Sequence, residues 1–244
     1  MSSSLTPAEI FKNAIANTTR AIAREDGVEV NFTANEPSIS GHVVNLQQPA
    51  RVLSLDEVAR VRGQADYAGL RLAHHDENSH ARLRPQGPNA QAIYDMAEEV
   101  RIVALGTNAM EGVAKNLTAN LIEAAQKRGY SRMQTKETTP MVEGLSLLLR
   151  EKLTGLAPPI GTKHVADFWK AELVEKCGHE FEGLLDALQN QTAFANITRE
   201  IIRDLDLGEE LGDEPSDENQ EQPNDEPPPS SDENSADQEN EDTA

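Results

Sequence analysis

Three histidines and an aspartate gather in one short passage, His74, His75, Asp76 and His80, flanked by Arg71, Arg82 and Arg84. Imidazole and carboxylate suit zinc or cobalt, which makes His75, Asp76 and His80 the candidate metal ligands of this chain. The guanidinium groups beside them can bind anions. The spacing argues for less. On one helix, side chains four apart share a face; Asp76 and His80 meet that condition, whereas His75 and His80 are five apart. The competing reading is a structural network. In it Asp76 caps a helix start, the histidines bond to backbone or carboxylates, and the arginines pair with Asp76 or Glu77.

Other reactive combinations fail on inspection. Cys177-Gly178-His179 invites a thiol nucleophile, yet side chains two apart on a helix do not face each other, and a lone cysteine is more simply a packed thiol. No Gly-x-x-x-x-Gly-Lys-Ser/Thr loop is present to cradle a nucleotide phosphate: Gly106 and Gly112 stand one residue too far apart, and Val113 follows where the lysine belongs. A Gly-x-Ser-x-Gly elbow is absent. No catalytic and no cofactor-binding residue is therefore assigned.

The elements that must hold these residues are mostly helices. Thr6-Pro7-Ala8-Glu9 is a capping box, followed by Phe11, Ile15, Thr18 and Ile22 at helical spacing, with Gly27 as the stop. Val28, Val30 and Phe32 alternate with polar residues, and Ile39 to Leu46 can pair back on them as a small β-hairpin near residues 28–46. Ser54-Leu55-Asp56-Glu57 opens a helix to about Ala73, and a polar link carries the histidines on to Pro88. Helical periodicity returns from Asn89 to Arg128, with Gly106 expected to divide it, and from Met141 to Gly155. After a hinge at Pro158-Pro159, three more stripes begin near Val165, Phe181 and Phe194. The expected fold class is mainly α: a multi-helix, bundle-like domain over residues 1–207, followed by an acidic, Pro-containing, disordered tail over residues 208–244.

Charge draws the same boundary. The 244 residues carry 42 Asp and Glu against 22 Lys and Arg, a net charge of -20. Fifteen of those acids, and no Lys or Arg, lie between Gly208 and Ala244, where apolar side chains are too few to offset the entropy of ordering. The remaining 207 residues have a nearly balanced 27 acids against 22 bases. So acidic a chain is a poor ligand for nucleic acid. No apolar run approaches the roughly 20 residues that cross a bilayer, and no secretory signal opens the chain. A cytoplasmic location is expected.

Several stretches resemble the N-terminal region of the cobaltochelatase subunit CobT. They are LRLAHHDENSHARLRP from Leu70, GVAKNLTANL from Gly112, LLLREKLTG from Leu147 and QTAFANITREIIRDLDLGEELGD from Gln191 to Asp213, in the family's order and followed by the acidic stretch. The resemblance implies a subunit of the ATP-dependent complex that inserts cobalt into hydrogenobyrinic acid a,c-diamide in cobalamin biosynthesis. Its partners would be a CobS-like AAA+ ATPase and a CobN-like large subunit holding the tetrapyrrole. The family reaction uses ATP, Mg2+ and Co2+, with no cofactor evident on this chain, which would be an assembly component and not the catalytic centre. The family continues into a von Willebrand factor A domain with an Asp-x-Ser-x-Ser motif, and these 244 residues contain no such motif. The alternative is a stand-alone acidic helical scaffold unrelated to metal insertion.

Overall fold

A computed structural model describes residues 5–212. Helix α1, Pro7–Ala23, starts on the complete capping box: Thr6 Oγ1 accepts from Glu9 N at 3.3 Å while Thr6 N donates to Glu9 Oε2 at 2.7 Å. It stops before Gly27, because Arg24 itself takes a left-handed conformation and its N–H closes onto Ala21 and Arg20.

The chain then forms strands β1, Glu29–Thr33, β2, Ser38–Ser40, and β3, Val43–Gln47, in the order β1-β3-β2. The hairpin expected between residues 28–32 and 39–46 is corrected in its pairing. β2 and β3 form the antiparallel hairpin around Gly41, whose φ is 53°, and β1 pairs with β3 in parallel, Glu29 opposite Val43 and Phe32 opposite Leu46. Two chain reversals, at the Asn35-Pro37 turn and at Gly41, return β3 to the direction of β1. Val44 and Leu46 point into a small core with Val28, Ile15, Val61 and Ala65.

Helix α2, Leu55–His74, begins on Ser54, whose side chain accepts from Glu57 N. The expected polar link contains a two-turn helix, α3, Glu77–Leu83, which follows because Asp76 accepts from Ser79 N at 2.6 Å. Helix α4, Pro88–Ala109, and helix α5, Glu111–Lys127, divide at Met110, not at Gly106. Gly106 lies inside α4 because Leu70 of α2 leaves no room there: a Cβ would stand 2.2 Å from Leu70 Cδ1.

Helices α6, Met141–Thr154, α7, Lys163–Cys177, α8, Phe181–Asp186, and α9, Gln191–Ile202, pack with α4 around the main core, which contains Tyr94, Leu145, Leu149, Leu173, Phe194 and Ile201. A π-helical turn, Arg203–Leu207, and a 3-10 turn, Gly208–Leu211, follow α9. Residues 208–212, expected in the tail, instead close onto the body. Leu211 is buried, and Glu210 O accepts from Gln86 N and Gly87 N. The rest of the expected disordered tail, from residue 213, lies outside the described residues.

Candidate functional site

The histidine passage lies where α2 ends, α3 begins and both meet α4. His75 is the C-cap of α2, its N–H bonded to Arg71 O. That extended residue turns the imidazole inward, where its side chain is 4% exposed. His75 Nδ1 lies 2.8 Å from Glu98 Oε1 and His75 Nε2 lies 3.1 Å from Glu77 Oε2. His80 Nε2 lies 2.9 Å from Asp95 Oδ1. The two imidazoles are brought together, their centroids 5.0 Å apart, and His80 packs on the Tyr94 ring at 4.7 Å. Asp76 is not brought to them through its carboxylate, which caps α3.

The acids that meet the histidines come from α4. Asp95, Glu98 and Arg101 recur every three residues and so lie along one side of that helix. Arg101 is 1% exposed and donates from Nε and Nη2 to both oxygens of Glu98, at 2.7 and 2.8 Å. Its remaining bonds reach His74 O and Leu188 O, joining the end of α2 to the loop before α9. Gln191 adds a second tie, accepting from Asp76 N at 2.8 Å and donating to Asp76 O at 2.9 Å. Arg84 grips Asp95 with two bonds and Arg71 reaches Glu77, whereas Arg82 is exposed.

Burial opposes ionisation of Glu98, but the hydrogen bonds and charges of Arg101 and His75 outweigh it and hold that carboxyl below the usual range. Asp95 follows the same balance, with Arg84 and His80 winning over burial. Arg71, His80, Arg84, Asp95 and Glu98 line an open cleft of about 810 Å3 whose other walls come from the sheet, α2 and α5. Its lining has more carboxylates than cations, with Glu36, Glu77, Glu99 and Glu123 added against Lys127. The cleft therefore suits a cationic ligand or segment better than an anion.

Reading the sequence alone misses Asp95, Glu98 and Arg101. The available signal is an acid and an arginine three apart within a helix that is apolar on most of its faces. Cys177 is a packed thiol: Sγ donates to Leu173 O, and burial pushes it up to about 11. Its neighbour His179 turns elsewhere, toward Glu180 and Asp204. The Gly106–Gly112 segment does not fit a nucleotide phosphate, because Gly106 is inside α4 against Leu70 and Val113 is buried.

No helix among the described residues is long and apolar enough to cross a membrane. A family model described as cobalamin biosynthesis protein CobT matches residues 5–244. No solved structure matches the chain.

Proposed function

The chain belongs to the CobT family of cobalamin biosynthesis proteins, a cobaltochelatase subunit, and we propose that it serves the complex as a non-catalytic assembly component. In this reading the helical body docks on a CobS-like AAA+ ATPase. A CobN-like large subunit holds the corrin ring and receives Co2+, the metal substrate. ATP and Mg2+ belong to the ATPase in this reading, since Gly106 here is packed inside α4 against Leu70, and Gly112 lies in the first turn of α5 with Val113, not a lysine, after it.

The family match over nearly the whole chain carries this reading. The histidine passage supports a structural role within it: His75 has carboxylates at both ring nitrogens, and Arg101 locks Glu98 beneath it. Such a network holds α2, α3 and α4 in one arrangement, which a body transmitting force from an ATPase requires.

Size-exclusion chromatography with light scattering tests the docking. The full chain is mixed with the AAA+ subunit, Mg2+ and ATP or a slowly hydrolysed analogue. Nucleotide-dependent co-elution as a large ring is expected. Two folded proteins that elute separately in every nucleotide state overturn the docking role.

A further inference from the structure

A second cluster of donor atoms, separate in sequence from the His75–His80 passage, lies where the end of α7 meets the turn that follows α9. Helix α7 stops at Cys177, and the 3-10 turn Gly178–Glu180 presents His179 and Glu180. The π-helical turn Arg203–Leu207 presents Asp204, with Asp206 in a left-handed conformation at φ 62°. His179 Nε2 lies 3.4 Å from Glu180 Oε1 and 3.3 Å from Asp204 Oδ2. One nitrogen and two carboxylate oxygens, one from each residue, all fall within 4.8 Å of one another.

We propose that His179, Glu180 and Asp204 form a site for one divalent first-row transition-metal ion such as Co2+ or Zn2+. Two ligand atoms each about 2.1 Å from one tetrahedral ion stand about 3.4 Å apart, so the imidazole-to-carboxylate separations are those of a shared coordination shell. A separate observation points the same way. Within a side chain that is 31% exposed, the Asp204 Oδ2 atom is itself closed off from solvent and makes no hydrogen bond, its 3.3 Å approach to His179 Nε2 being an ion-pair contact alone. A buried carboxylate oxygen left without a donor is costly, and a cation is the partner that removes the cost. Neutral imidazole with two carboxylates gives the site a charge of about -2, matched to a divalent ion. The nitrogen ligand selects against Mg2+ and Ca2+, which prefer oxygen alone. Water completes the coordination on the open side, where His179 is 63% exposed.

Calorimetry on the full chain after chelator treatment, titrated with Co2+ and with Zn2+, tests the site. Visible absorption of bound Co2+ serves as a second readout. One stoichiometric site is expected, with Kd rising at least tenfold in His179→Ala and in Asp204→Asn. It should be unchanged within about twofold in a His75→Ala, His80→Ala double variant, and Mg2+ should not displace the ion. His179 is exposed enough that its variant should keep the wild-type circular dichroism spectrum and thermal midpoint. Superimposable wild-type and His179→Ala isotherms overturn the proposal, as does loss of the site in the double variant alone.

Discussion

At the scale of single residues, the strongest commitments are the buried charges. Arg101 and Glu98 are 1% and 6% exposed in their side chains and satisfy one another twice. Removing one partner strands the other, which typically costs about 3–5 kcal/mol. Arg101→Met is expected to lower urea stability by that order, while Arg84→Ala, which breaks a half-exposed pair with Asp95, costs at most about 1 kcal/mol. Equal effects would mean that the buried pair has no special role. Acid should act through the same group. The folded-state pKa of Glu98 is depressed, so its contribution is fully present above the unfolded value of about 4.3 and is lost as pH falls through the folded value. Stability measured from pH 7 down to pH 3 should therefore fall less steeply in Glu98→Gln than in the wild type. Asp66 slopes the other way, because burial raises its carboxyl despite the hydrogen bond from Asn116. At this scale the caps were legible, because Thr6, Ser54 and Asp76 act on amides three residues on. Glu98 was not, because its imidazole partner lies 23 residues away and only the packing of α4 on the α2–α3 corner makes them neighbours.

At the scale of elements, local signals placed the helices well and their meetings poorly. Periodicity and caps indicated α1, α2 and α6, whereas the division of α4 from α5 misled at Gly106 because a glycine can serve close packing as readily as a helix stop. Gly63 is a second such contact: a Cβ there would stand 2.5 Å from the backbone oxygen of Asn116 on α5. Backbone cannot step aside as a side-chain end can. Gly63→Ala is thus expected to destabilise the protein by about 1–3 kcal/mol through overpacking of α2 on α5. Gly112→Ala, in the first turn of α5 with nothing within 4 Å of its Cβ, should instead gain a few tenths to about 1 kcal/mol from helix propensity. Chemical denaturation of the two variants side by side checks the pair, and a stable Gly63→Ala would show that the helices can separate without cost. The parallel β1–β3 pairing was hidden for a related reason. Alternation marks a strand and its faces, but the direction of its neighbour depends on how many times the chain turns in between.

At the scale of the whole molecule, the body closes by bringing its last described turn to the start of α4, the longest helix among the described residues. Gly87 is the N-cap of α4 and has no side chain to receive the helix's free amides. Glu210 supplies that cap from 120 residues downstream: Oε2 accepts from Ala90 N at 2.9 Å, Oε1 accepts from Asn89 Nδ2 at 2.8 Å, and its backbone oxygen receives Gln86 and Gly87. The Ala90 amide and the Asn89 side chain hold the Glu210 carboxyl below its usual range, as expected for an anion at a helix N-terminus. Composition concealed this closure, because Glu209 and Glu210 read as the first acids of a charged tail, and only the burial of Leu211 beside them distinguishes a docked turn from a solvated one. Glu210→Ala should leave the backbone contacts of the turn in place but remove the cap, so the Ala90 amide should exchange with solvent faster while amides in α7 keep their protection. Glu210→Gln, which keeps the acceptor and loses the charge, should fall between the two. Hydrogen exchange read at individual residues makes the distinction: unchanged protection at Ala90 in Glu210→Ala would show that α4 does not depend on the distant carboxylate for its start.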